Sequence, residues 1–159
     1  MIYYVKFQSM LGQMFGVSDG SKLTGLYFDN HVAPPMIEPD WILDPTIEVF
    51  SLLQHQLLSY FLGERRTFDL PLKLAGTNFQ EIIWATLQAV RYGTTVSYSH
   101  VAHLIGRPGS YRAVANAIGR NPISIVIPCH RVIGLNGSMA GYAGGVDRKR
   151  KLLKLEKRG

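Results

Sequence analysis

The run Ile123-Ser124-Ile125-Val126-Ile127 constrains this chain most, because it is the most apolar stretch in the sequence and has to be buried. Its β-branched residues predict a strand inside a core. Pro128 ends that strand, since it has no N–H to give a ladder. The sole cysteine, Cys129, follows at once, with His130, Arg131, Val132 and Ile133 behind it. A single cysteine beside a histidine at a strand end is a candidate nucleophile. The plainer alternative is a small buried hydrophobe. The adjoining Pro, His and Arg favour the nucleophile.

At 159 residues the chain is long enough for one good core, or for two small lobes sharing an interface. One cysteine excludes an internal disulfide framework and any CxxC metal site. No basic-then-apolar leader is visible, and no apolar run approaches about eighteen residues. Neither a signal peptide nor a membrane span is expected, and the bacterial cytoplasm is the predicted location. Charge is divided unevenly. Residues 1–70 carry four Lys/Arg and eight Asp/Glu, whereas residues 71–159 carry thirteen and three. A net charge of +10 on the second part predicts a polyanionic partner. Seven of those cations crowd into residues 148–158, which a solvated basic tail would also explain. The spread of Arg91, Arg107, Arg112, Arg120 and Arg131 favours nucleic acid.

Residues 2–7, 11–17 and 23–28 read as strands of an antiparallel meander, separated by turns at Gly12 and Asp19-Gly20-Ser21. Residues 31–45, with four prolines, read as a surface loop. Asp44-Pro45 predicts a helix start, with Val49, Leu52, Leu53, Leu57, Tyr60 and Phe61 as its apolar stripe and Gly63 beyond its end. No residue in 1–70 suggests chemistry. Residues 68–76 form a linker. Thr77-Asn78-Phe79-Gln80 fits a capping box for a helix whose stripe is Phe79, Ile82, Ile83, Leu87 and Val90, closed by Gly93. Trp84 is most simply core. Ser97 and Ser110 are placed to cap two short helices, 98–105 and 111–119, joined by Gly106-Arg107-Pro108-Gly109. That is a helix-turn-helix pattern. Ala113, Ala115, Ala117 and Gly119 suggest a small-residue face on the second helix. Asn136-Gly137 predicts a tight turn, and Asp147 a cap for a final helix, 148–157, with Leu152, Leu153 and Leu155 inward. The fold class is therefore α+β. It has a sheet-plus-helix lobe over 1–70 and a mainly helical lobe over 71–159 that holds the helix-turn-helix and the cysteine strand.

Pro128-Cys129-His130-Arg131-Val132, preceded by Asn121-Pro122 and followed by Gly141-Tyr142-Ala143-Gly144-Gly145, resembles the active-site region of the O6-alkylguanine-DNA alkyltransferases. The likeness spans about residues 76–156 and is nearest the constitutive bacterial type. It implies that Cys129 accepts an alkyl group from damaged guanine in double-stranded DNA, and from O4-alkylthymine too. It implies that His130, joined to Cys129 by a water, is the base and that Glu156 orients it. In the family the second helix of the pair enters the minor groove. Arg112 then matches the arginine finger that fills the gap left by an extruded base. Tyr98 matches the tyrosine that displaces a phosphate and hydrogen-bonds the flipped base. Ser97, Ala113, Asn116 and Arg120 are implied as DNA contacts. Asn121, Val132, Tyr142, Ala143 and Ile118 are implied as pocket residues. Many members have serine at Ala143, where the backbone N–H still reaches the guanine oxygen. No metal, cofactor, membrane or obligate protein partner is implied, and the protein is expected as a monomer.

A thiol needs a base, a cation or a helix N-terminus to become a thiolate. Cys129, His130 and Glu156 supply nucleophile, base and orienter. A thioether product has no carbonyl for water to attack, so each molecule should act once. Two other readings stay open on the residues: a non-catalytic damage-binding relative, which would replace Cys129, and a Cys-His-Glu thiol hydrolase, which would leave the basic half unexplained. A plain helix-turn-helix regulator would leave Pro-Cys-His-Arg unexplained.

Overall fold

Alternation of buried and exposed residues in the first thirty positions produces three antiparallel strands, β1 (Tyr3–Ser9), β2 (Gly12–Ser18) and β3 (Leu23–Phe28), in the computed structural model. The structure describes residues 1–31, 35–139 and 141–158. Asp19 makes the second turn by accepting the N–H groups of Ser21 and Lys22 at 3.0 and 2.8 Å. A short fourth strand, β4 (Ile42–Leu43), lies parallel to β1, so the sheet order is β3-β2-β1-β4. It arises within the stretch expected to be only loop. Residues 32–34 of that stretch lie outside the described residues.

Helix α1 (Glu48–Phe61) packs on the sheet through Val49, Phe50, Leu53, Leu57 and Tyr60. Leu53 and Phe50 lie close over Gly16, where a Cβ would stand 3.4 Å from each, at ordinary contact distance. The expected start at Asp44 is not used. Asp44 accepts the N–H and hydroxyl of Thr46 at 2.9 and 2.5 Å, so its carboxylate is spent on a local turn and the helix opens at Ile47 without a side-chain cap. Leu52 turns outward rather than joining the stripe.

The Thr77–Gln80 capping box forms as expected at the head of α2 (Asn78–Gln88). The helix stops at Gln88, five residues short of Gly93, and Ile82 faces solvent. Trp84 fills the core in its place and donates its indole N–H to the Ala117 carbonyl at 2.9 Å. Ser97 caps α3 (Tyr98–Leu104) by accepting the His100 N–H. Ser110 precedes α4 (Tyr111–Gly119) but makes no cap bond. The four small residues of α4 do not share a face. Residues 113, 115, 117 and 119 follow one another at intervals of two, so each points about 200° round the helix from the last; Ala117 is buried, Ala115 and Gly119 are half-buried and Ala113 is exposed. Asp147 lies in the first turn of α5 (Val146–Arg158), after the helix has begun.

Residues 123–127 are buried as expected, apart from the half-buried Val126, but form no strand. Leu26 donates to Pro122 O at 2.8 Å, and Ser124 donates to Leu26 O at 3.0 Å. Ile127 then turns back to Ile123 O, with Ile125 in the left-handed region at φ 71°. The run is a tight turn laid on the open edge of β3. Leu23 and Lys73 pair further along that edge. Both segments cover backbone groups that an edge strand would otherwise expose. The result is one α+β core that joins Leu26 and Phe28 to Ile123, Ile125 and Ile127.

Candidate active site

The turn at 123–127 delivers Pro128, and the chain then winds into a single 3-10 turn, Cys129–Arg131. The cysteine therefore sits on a 3-10 turn, not at a strand end. Adjacent side chains on such a turn diverge by about 120° rather than pointing to opposite faces. Strand β6 (Val132–Ile133) follows and pairs with β5 (Val96–Ser97), which brings the head of α3 beside the cysteine.

Cys129 is buried. Asn121 Nδ2 donates to its Sγ at 3.0 Å and to Ile127 O at 2.7 Å, while Asn121 Oδ1 accepts the Ile123 N–H. The same amide thus shapes the turn and touches the thiol. Burial pushes the thiol up to about 11, although the Asn121 bond and the Lys149 charge pull the other way. At neutral pH the thiol is protonated, so reaction requires a base.

His130 is wholly buried, with Nε2 2.7 Å from Glu156 Oε2. Burial lowers its pKa more than Glu156 raises it, which keeps the ring neutral at pH 7. The proton then belongs on Nε2, facing the carboxylate, and Nδ1 carries a lone pair. Nδ1 has no hydrogen-bond partner among the described residues.

Glu156 is buried on α5. Burial by itself would raise its pKa, but donors surround it and bring it down to about 2. They are His130, Arg131 (Nε to Oε1 at 2.8 Å, Nη2 to Oε2 at 3.0 Å), and the Tyr60 hydroxyl at 2.6 Å. Arg131 is buried too and spends Nη1 on Val90 O at 2.7 Å. That burial sets the Glu156–Arg131 pair apart from a surface ion pair, which contributes little.

These shifts set an acid limit on the fold. His130 is depressed from 6.5, so its stabilising neutral form is lost as pH falls below that value. Glu156 contributes stability that is complete above about pH 4.5 and is lost as pH falls toward 2. Urea midpoints should therefore fall from about pH 6.5 downward and fall further below about 4.5. A His130→Gln variant should weaken the first decline, leaving the share of His31, whose pKa burial also lowers, and keep the second, measured by circular dichroism.

A cleft of about 750 Å³ opens beside the head of α3, walled by Tyr98, Tyr111, Ala115, Leu135 and Gly141. Tyr98 begins α3 and is raised by burial, then by the nearby Cys129. The glycine loop is tight for a reason. A Cβ on Gly144 would meet the Tyr142 ring at 2.7 Å and Phe28 at 2.8 Å. The Asn136-Gly137 turn closes as expected, with Gly137 at φ 79°.

The structure thus gathers Cys129, His130, Glu156, Asn121, Tyr98 and Tyr142 around one centre. Arg112, Ala113, Asn116 and Arg120 are exposed along one face of α4, at spacings of three, four and seven. Ser97 is occupied as a helix cap, Ile118 is buried beneath α4, and Ala143 is half-buried. Val132 is buried and offers its carbonyl to Lys149 at 2.6 Å. The basic tail is not simply solvated. Lys149 is fully buried, and Arg148 lies over the Phe28 ring and pairs with Asp29. Lys149, Arg131 and Tyr60 were not legible as site residues. Each matched a bland pattern: a basic run, an arginine in a motif, a helical core position.

No group of three or more His, Cys, Asp or Glu residues among those described is arranged to hold a metal. Among the described residues no helix is long and apolar enough to cross a membrane.

A buried thiol, a neutral imidazole and a fixed carboxylate, set beside a helix pair with a basic outer face, define a class: a cysteine-nucleophile protein built to meet a polyanion. Residues 78–158 match the family described as 6-O-methylguanine DNA methyltransferase, DNA binding domain. Residues 2–74 match the same family's ribonuclease-like domain. The methylated-DNA–protein-cysteine methyltransferase of Mycobacterium tuberculosis is 45% identical over 157 residues, covering 99% of this chain and 93% of that protein. Its counterpart in Haemophilus influenzae is 39% identical, over 98% and 87%. The crystal structure of Mycobacterium tuberculosis OGT in complex with DNA superposes with a TM-score of 0.91 at 44% identity, over 98% and 93% of the two chains. The chain belongs to the 6-O-methylguanine DNA methyltransferase family.

Proposed function

We propose that this protein reverses alkylation of DNA directly, moving the alkyl group from O6 of guanine, and from O4 of thymine, onto Cys129. The observation that carries the reading is the buried thiol held by Asn121 at 3.0 Å, next to a neutral His130 anchored on Glu156. His130 Nδ1 takes the thiol proton through a water molecule. Asn121 and the Lys149 charge favour the thiolate. Sulfur attacks the alkyl carbon in line, the C–O bond breaks, and guanine leaves with the electron pair. Tyr98 donates toward N3 as negative charge develops on the base. The S–C bond is a thioether, so the protein acts once.

Guanine O6 is buried in the base stack, so the nucleotide has to be flipped into the cleft. The exposed face of α4 is the part that meets DNA, with residues 71–159 as the DNA-binding and transfer unit and 1–70 packed behind it. The protein works as a monomer in the cytoplasm. The test is to incubate it with a duplex bearing O6-methylguanine and weigh it. A gain of one methyl on Cys129, and no second turnover, supports the reading. No gain overturns it.

Arg112 separates two uses of that face. As a phosphate contact, Arg112→Ala would weaken all duplexes alike and reduce the salt slope by about one, while Arg112→Lys would be silent. As a finger occupying the hole left by the base, its planar guanidinium is not imitated by lysine. Both variants should then slow transfer from duplex DNA and leave reaction with free O6-alkylguanine unchanged. Alkylation rates of Cys129 on the two substrates decide it. Equal slowing on both would assign Arg112 to the fold.

A further inference from the structure

We infer that Tyr60, on α1 far from the cysteine in sequence, is a positioning residue for the transfer reaction, acting through Glu156. This rests on the alkyl-transfer reading above. Tyr60 is fully buried, and its hydroxyl donates to Glu156 Oε2 at 2.6 Å. His130 Nε2 meets the same oxygen at 2.7 Å. With Arg131 Nη2 at 3.0 Å, three donors thus share one oxygen, and one of them is the ring that must receive a proton.

The groups around this carboxylate come from four segments. The 3-10 turn supplies His130 and Arg131, and the loop after α2 offers the Gly93 N–H at 3.4 Å. Helix α1 supplies Tyr60. Helix α5 carries Glu156 itself and Lys149, whose charge also acts on His130. Tyr92 stands against the Tyr60 ring at 6.1 Å and beneath the Arg131 guanidinium at 5.7 Å. Burial and the Glu156 charge both hold the Tyr60 hydroxyl protonated, so it is a permanent donor. A permanent donor draws negative charge away from Oε2. It thereby limits how tightly Glu156 holds a proton on His130, and it keeps the oxygen fixed opposite the ring.

Removing that hydroxyl leaves Oε2 to His130 and Arg131 alone. His130 becomes more basic and less precisely held. Tyr60→Phe keeps the ring packed against Phe61 and Phe68, so the fold should persist. Wild type, Tyr60→Phe and Leu53→Val are compared for the single-turnover rate on an O6-methylguanine duplex between pH 5 and 9, for DNA affinity and for thermal midpoint. Leu53 is buried on the same helix and reports destabilisation alone. The expected result for Tyr60→Phe is a plateau rate lower by about tenfold, an acid limb moved to higher pH, and unchanged DNA affinity. Leu53→Val should keep the wild-type rate and limb. A wild-type plateau and limb in Tyr60→Phe would overturn the inference, as would equal slowing in Leu53→Val. No transfer by the wild type would instead overturn the function on which it rests.

Discussion

Cys129→Ser will abolish alkyl transfer and leave DNA binding intact. The site already works against ionisation, since burial pushes the thiol up to about 11. The base that must take the proton is itself depressed by burial. A thiol tolerates this because it is a strong nucleophile even when weakly ionised, whereas an alcohol is far harder to deprotonate. The rate should fall by roughly a thousandfold or more. Asn121 can still donate to a hydroxyl, and α4 lies on the surface away from the change, so affinity for duplex DNA should hold. Intact-mass measurement after long incubation, with a band-shift titration beside it, checks both halves. Methylation of the serine variant near the wild-type rate would remove Cys129 from its role.

Glu156→Gln will cost stability as well as activity. The carboxylate takes donors from His130, Arg131 and Tyr60, and among the described residues Arg131 pairs with no other carboxylate. The amide fills the same space but leaves a buried guanidinium uncompensated. Breaking a buried pair in this way costs about 3–5 kcal/mol, against roughly 0–1 kcal/mol for a surface pair. For a chain of this size the thermal midpoint should drop by on the order of 10 °C. Transfer should slow even at temperatures where the variant is folded, because His130 loses the group that fixes its tautomer. A drop of only a degree or two would mean that the network is less tightly coupled than its geometry indicates. A stable variant with a normal rate would end the orienter role of Glu156.

Much of the architecture was legible because its causes are local. The Thr77–Gln80 box, the Ser97 cap, the Asn136-Gly137 turn and the three-strand meander each depend on residues a few positions apart. The motif around Cys129 set a thiol beside an imidazole for the same reason. Misreadings fell where a local rule met a competing local bond or a distant surface. Asp44 found Thr46 before it found a helix, and Ser110 stands before α4 without capping it.

What the sequence by itself determined is that the run at 123–127 had to be buried and that the one thiol stands next to a histidine. Five apolar residues at 123–127 guarantee burial, since exposing them is costly whatever their backbone does. Tertiary structure decided the form of that burial. The run became a turn because the open edge of β3 offered Leu26 as a partner for Pro122 and Ser124. It also decided the protonation states. Glu156 meets His130 across 26 residues and Tyr60 across 96, and no spacing rule reaches so far. Lys149 and Arg150 are neighbours in one basic run, yet one is buried against Val132 and the other is exposed. The difference is the face of α5 each occupies, and that is set only when the helix docks. Charge and hydropathy are properties of residues, whereas desolvation and partnering are properties of places, and the places exist only in the folded chain.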